Sequence, residues 1–348
     1  MSGVQTITVT EEDADQRVDR WLRRLFPHVS QGRIEKMCRK GELRLDGGRV
    51  KASSRVEAGQ TVRVPPLPAS DQKPAEAPSR RISDADAKMI RGCVIYKDDA
   101  VIVLNKPAGL AVQGGSGTTK HVDGLSEALK FDAEEKPRLV HRLDKDTSGV
   151  LVLARTRQAA QALTAAFRHH ATRKIYWALV AGVPTPYLGE IKCGLVKAPG
   201  HGKSGEGEKM IAIHSNEVDS TPGAKRSHTQ YATLYRVASR AAWVAMEPIT
   251  GRTHQLRAHM AEIGHPIAGD GKYGGSGQEN LGDGWGAQLG GIISKKLHLH
   301  CRRMAFEHPT TKKPLSITAP LPEHMKESWD TFGWSEDLAE DDPFESLR

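Results

Sequence analysis

Between two apolar runs lies His141-Arg142-Leu143-Asp144-Lys145-Asp146-Thr147-Ser148-Gly149, a loop that sets one carboxylate, Asp144, beside Arg142 and Lys145. Cationic neighbours favour an ionised carboxylate, the form that acts as a nucleophile or base. Leu139-Val140 enters the loop and the run Val150 to Ala154 leaves it, so both ends can be anchored in a sheet. A carboxylate held in this way has a fixed direction. The same residues would also serve in a salt-bridged surface loop, with Arg142 paired to Asp146, and charge pattern alone does not separate the two.

Other chemistries are less well supplied. Asp146-Thr147-Ser148-Gly149 is reminiscent of an aspartic protease loop, but Ser148 intervenes before the glycine and no second copy exists for a shared proton. Gly202-Lys203-Ser204 resembles the end of a phosphate-binding P-loop, yet Lys197 stands where the first glycine is required. His254 and His259 are five apart on an expected helix, about 140° around its axis, too far apart to share a metal. His298 and His300 could share a strand face but have no carboxylate or thiol partner placed beside them. No metal site is expected.

The loop resembles the catalytic motif of the RluA-type pseudouridine synthases, in which the aspartate of H-R-L-D-x-x-T-S-G is the catalytic carboxylate. Asp144 occupies that position. Further family blocks follow in order: Asn105-Lys106-Pro107-Ala108-Gly109 upstream, then Lys174-Ile175-Tyr176 and Gly251-Arg252-Thr253-His254-Gln255-Leu256-Arg257 downstream. The resemblance runs from about Asp15 to Pro322 and is weakest in two Gly-rich stretches.

That resemblance implies a cofactor-free isomerisation of uridine in RNA. The bond from N1 to C1′ breaks, the uracil turns while bound, C5 rejoins the sugar and the C5 proton leaves. Such a site needs a carboxylate at the sugar-base junction, a base for the late proton, a surface to retain the ring and a nucleotide out of its stack. By position in the motifs, Asp144 is the carboxylate, whether it attacks C1′, adds to C6 or takes a sugar proton. Tyr176 offers an aromatic face and a phenol that could help remove the C5 proton. Arg257 is expected to form a salt bridge to Asp144. Substrate contacts are expected from Arg142, Lys106, Arg252 and His254, with Lys106-Pro107 shaping the floor of the pocket.

The elements that must position these residues fall into two domains. Val18, Trp21, Leu22, Leu25 and Phe26 recur at helical spacing within an arginine-rich stretch. Ser30 reads as the N-cap of a second helix carrying Ile34, Met37 and Cys38, with Gly41 as its stop. Arg39 to Gly47 and Glu57 to Val64 then look like an S4 RNA-binding domain, whose expected RNA contacts are Arg33, Lys36, Arg39 and Lys40. A Pro- and Ala-rich stretch follows and reads as a semi-rigid linker. Beyond it, strands are expected at Val94 to Tyr96, Val101 to Leu104, Val150 to Ala154, Ile175 to Val180, Gln230 to Val237, Ala242 to Glu247 and Leu297 to Ala305. Helices are expected near Arg157 to His169 and Thr253 to Ile263. The expected fold is α+β, a catalytic domain on a mixed, mainly antiparallel sheet preceded by a small S4-like α/β RNA-binding domain. The boundaries read as a 1–13 extension, an S4-like domain over 14–65, a linker over 66–89, a catalytic domain over 90–330 and an acidic, disordered tail over 331–348.

Composition agrees. With 348 residues, 38% of them apolar, the chain can hold two domains, and no stretch approaches a membrane span. The first residues lack a secretory or organellar signal, so the expected location is cytoplasmic. Cys38, Cys93, Cys193 and Cys301 are too dispersed for a disulfide framework. The formal charge of +8 understates the basic body, because residues 336–348 carry six acids and one arginine. Such a body suits a polyanion, and RNA is the expected partner. Intact Asp144, Tyr176 and Arg257 argue against a non-catalytic RNA-binding or ribosome-assembly factor. The S4-like wording favours the branch acting on large-subunit ribosomal RNA, the RluC type, over enzymes for transfer RNA, with a monomer as the expected state.

Overall fold

The computed structural model describes residues 3–67, 82–114, 120–169, 171–198, 209–274, 293–335 and 342–347. Most of the expected linker, residues 200–208 of the Gly- and Lys-rich stretch 200–225, and most of the Gly-rich stretch 273–291 lie outside the described residues. Two compact units emerge, Met1–Ile82 and Ser83–Arg348.

The first unit runs β1 (Gln5–Thr8), α1 (Val18–Leu25), α2 (Gln31–Lys40), β2 (Arg44–Leu45), β3 (Gly48–Arg49) and β4 (Thr61–Val64). Helical spacing decides its core, with Val18, Trp21 and Leu22 of α1 and Ile34, Met37 and Cys38 of α2 turned inward onto Val62 and Val64. The Ser30 side chain accepts from Arg33 N, and Gly41 ends α2 in the left-handed conformation at φ 70°. The sheet order is β1-β4-β2-β3, all antiparallel. The expected extension is therefore part of the domain: β1 pairs Ile7 with Val62, and Val9 is buried in the same core. Four residues of mixed polarity are too short to show a strand period in sequence.

The second unit runs α3 (Asp84–Gly92), β5 (Val94–Lys97), β6 (Val101–Lys106), α4 (Val122–Leu125), β7 (Arg138–Leu139), β8 (Ser148–Ala154), α5 (Arg157–Arg168), β9 (Arg173–Ala181), β10 (Leu188–Lys197), β11 (Met210–Ile213), β12 (Lys225–Val237), β13 (Ala241–Pro248), α6 (Gln255–Glu262), β14 (Leu299–Glu307), β15 (Pro314–Thr318) and α7 (Glu323–Thr331). It starts earlier than expected, because the Ser83 side chain caps α3 by accepting from Asp86 N. Its strands form one sheet, in order β11-β10-β12-β13-β9-β14-β8-β6-β5, with β15 on β14 and β7 on β8. Every pairing is antiparallel except β8 with β14. All residues of β8 are buried, as befits an apolar run flanked by strands on both edges.

The acidic tail is another correction. Among its described residues Phe344 is fully buried with Trp243, Met325 and Trp329, and Asp342 makes a bidentate pair with Arg173 at 2.9 and 2.6 Å. One aromatic side chain and one well-placed charge anchor a segment whose composition resembles a disordered tail. No helix among the described residues is long and apolar enough to cross a membrane.

Candidate active site

Each end of the Asp144 loop is tied down by its own motif residues. His141 stacks on Phe167 at 4.4 Å and its Nε2 accepts from Val152 N at 2.9 Å. Leu143 and Thr147 are buried, and Ser148 Oγ lies 2.8 Å from His300 Nδ1. Gly149 crosses β14 so closely that a Cβ would sit 2.2 Å from Cys301 O, and its φ is 107°. No other residue type fits there. Arg142 and Asp144 are left facing a cleft of about 510 Å³, which Tyr176, Lys174, Arg252, His254 and Arg257 also line. Among the described residues Arg142 is exposed and unpaired, so the salt bridge to Asp146 is not made.

Lys106 does not reach this cleft. It is 0% exposed, and its Nζ donates to three carbonyls, those of Pro107, Leu110 and Lys145, at 2.9, 2.8 and 3.0 Å. Gly109 N donates to the same Lys145 carbonyl at 2.9 Å. Two motif blocks distant in sequence are thereby bolted together, and Lys106 positions the Asp144 loop where a substrate contact was expected. Burial pulls its pKa down to about 7 against the opposing charges of Asp146 and Asp144.

Tyr176 projects from β9 beside Cys301 of β14. Burial, and then Cys301, push the phenol well above its ordinary value of 10. The phenol is thus held protonated, and the Tyr176 side chain lines the cleft. Lys174, two residues earlier, also lines the cleft, with Nζ 4.8 Å over the Phe167 ring.

The loop before α6 is held by a buried Gln255. Its Oε1 accepts from Thr250 Oγ1 at 2.7 Å and Arg252 N at 3.0 Å, and its Nε2 donates to His228 O and Thr229 Oγ1, both at 2.9 Å. Arg252 Nε donates to Arg226 O at 3.1 Å. His254, at φ 51°, places Nε2 4.0 Å from Asp144 Oδ2. The expected Arg257 to Asp144 salt bridge is absent among the described residues. Arg257 instead grips Asp270 with Nε and Nη2, both at 2.7 Å. Burial opposes its charge, but the Asp270 hydrogen bonds and the charges of Asp270 and Asp144 outweigh it. Asp270 and Tyr273 escaped sequence reading because they precede or open a Gly-rich stretch without period. His259 turns away, to Ser227 Oγ at 2.7 Å, while His298 and His300 meet Ser328 and Ser148, each at 2.8 Å. In the first unit Lys36, Arg39 and Lys40 are exposed, and Arg33 and Lys40 lie 4.0 and 3.8 Å from Glu42.

The RNA pseudouridylate synthase family matches residues 100–262, and the S4 domain matches residues 16–62. The chain is 37% identical over 331 residues to the ribosomal large subunit pseudouridine synthase C of Vibrio cholerae, covering 93% of this chain and 96% of the relative. It is 35% identical over 324 residues to the protein of that name from Yersinia pestis, covering 93% and 94%. Among solved structures, human RNA Pseudouridylate Synthase Domain Containing 4 superposes with a TM-score of 0.56 at 28% identity, over 71% of this chain and 95% of that one. The chain belongs to the RNA pseudouridine synthase family.

Proposed function

We propose that this chain isomerises uridine to pseudouridine in large-subunit ribosomal RNA, with Asp144 as the reacting carboxylate. The observation that carries this reading is Asp144 itself, 24% exposed, at the wall of a cleft whose other residues suit a splayed-out nucleotide. The Tyr176 ring would retain the free uracil while it turns. Arg257, fixed by Asp270, and His254 place positive and donor groups around the carboxylate. Arg142, exposed at the cleft, is available to a phosphate or to a neighbouring base. The S4-like unit supplies affinity through the exposed cations of α2. Large-subunit RNA is chosen over transfer RNA because relatives matched along nearly their whole length, S4 domain included, carry that substrate in their names.

The test is tritium release from 23S ribosomal RNA labelled at uridine C5. Wild type should release tritium, and Asp144→Asn should bind the RNA and release none. Release from transfer RNA alone would overturn the substrate assignment, and release by Asp144→Asn would overturn the role of the carboxylate.

A further inference from the structure

The Tyr273 hydroxyl sits between two partners whose chemistry is unequal. Met210 N, at the start of β11, can only donate, and it does so to Tyr273 Oη at 2.8 Å. With its oxygen accepting there, the phenol has one proton to give, and the ring nitrogen within reach is His254 Nδ1 at 3.1 Å. An Nδ1 that accepts leaves the imidazole proton on Nε2, the atom that stands 4.0 Å from Asp144 Oδ2. Tyr273 is itself fixed, since Asp270 Oδ1 accepts from its backbone N at 3.1 Å and Arg257 lies 5.2 Å over its ring. His254 keeps a left-handed backbone unusual for a residue with a side chain, which the Gln255 hydrogen bonds beside it enforce.

Resting on the reading of Asp144 as the reacting carboxylate, we infer that Tyr273 fixes the tautomer of His254 so that Nε2–H faces Asp144 as a neutral donor. The two side chains are positioning residues. His254 stands on the Oδ2 side of the carboxylate, so this arrangement directs the substrate toward Oδ1. The donor role needs no proton transfer, only closure from 4.0 Å to hydrogen-bond distance as the cleft fills. Burial lowers the His254 pKa, with Arg257 and Lys272 adding to the effect and Asp144 and Asp270 opposing it, in keeping with a neutral ring. Protonation would put a second proton on Nδ1 and strand the Tyr273 hydroxyl proton, so the hydrogen-bond arrangement resists it as well.

The first test is nitrogen-15 NMR on the full chain labelled at histidine, with His254 assigned by its absence in His254→Gln. Near pH 7 the Nδ1 resonance should lie in the unprotonated range and Nε2 in the protonated range. The reverse assignment, or averaged shifts of two exchanging tautomers, would overturn the inference, and wild type alone decides this. In Tyr273→Phe the two tautomers should mix, and kcat for tritium release should fall roughly tenfold at unchanged KM, the loss of about one hydrogen bond to a charged group. The acid limb of the kcat profile should also move to higher pH, because the neutral ring has lost its donor. His254→Gln, which keeps an N–H, should retain more activity than His254→Ala. A purely structural role would instead lower stability and raise KM with the nitrogen shifts unmoved. Absence of release from wild type would sink the functional reading, while the nitrogen shifts would still decide the tautomer.

Discussion

At the scale of single residues, the motif around Asp144 divides into anchors and actors. His141, Leu143, Thr147, Ser148 and Gly149 each have a packing or hydrogen-bonding task, while Arg142 and Asp144 present charged groups to the cleft that His141, Leu143 and Thr147 also line. Asp144 was singled out by the motif resemblance, because charge pattern alone does not separate it from a salt-bridged surface loop. Lys106 was misread because a lysine in a loop block is ordinarily solvated, and nothing in sequence shows that three carbonyls converge on its ammonium. Lys106→Met keeps the stem and strips the donors, leaving buried carbonyls unsatisfied. It should cost about 2–4 kcal/mol in urea unfolding followed by tryptophan fluorescence. It should also lower kcat without weakening RNA binding, because the residue acts on the loop and not on the substrate. Arg257 carries the same lesson, since a partner 13 residues away in a loop without period is invisible to spacing arguments.

At the scale of elements, β8 and β9 were readable as continuous apolar runs, whereas β10 was not. Its burial alternates irregularly, and Gly189 and Gly194 break the strand pattern because Tyr231 and the Val218-Ile213 pair press into the space a side chain would fill. β14 and its approach carry neutral histidines in place of apolar residues. His298 and His300 are fully buried, and burial lowers them to about 4 and about 3, as it lowers His259 of α6 to about 4. Their folded values lie below the unfolded value near 6.5, so unfolding takes up protons in acid. Their contribution is fully present above about 6.5 and is lost as pH falls toward 4 and then 3, each group adding up to about 1.4 kcal/mol per pH unit. Circular dichroism across this range should show a steep acid limb in wild type. His300→Gln should flatten it, and an unchanged limb would mean the ring is not buried neutral.

At the scale of the whole molecule, the proposed function divides affinity from chemistry between the two units. Helix spacing made the S4-like core legible from its first apolar stripe, while β1 and the docked tail were missed because short or acidic segments declare their partners only in three dimensions. Lys36→Ala with Arg39→Ala should weaken RNA binding in proportion to lost phosphate contacts. The slope of log affinity against log salt should flatten by roughly 0.7–0.9 per contact. Filter binding over a salt series measures this, and tritium release at saturating RNA should keep its kcat. An unaltered slope would remove these side chains from the RNA-binding face.

The strand that lies between the Asp144 loop and the Tyr176 strand comes late in the chain order of the sheet. β14 lies between β8, which receives the Asp144 loop, and β9, which carries Tyr176, and its His300 meets Ser148 across 152 residues of chain. Without Leu299–Glu307 the strand order falls into two pieces, one ending at β8 and the other at β9, each with an unpaired apolar edge. The sheet is thus closed by a seam that comes late in chain order, and a fragment ending before β14 would be expected to present both apolar edges for aggregation instead of one continuous sheet.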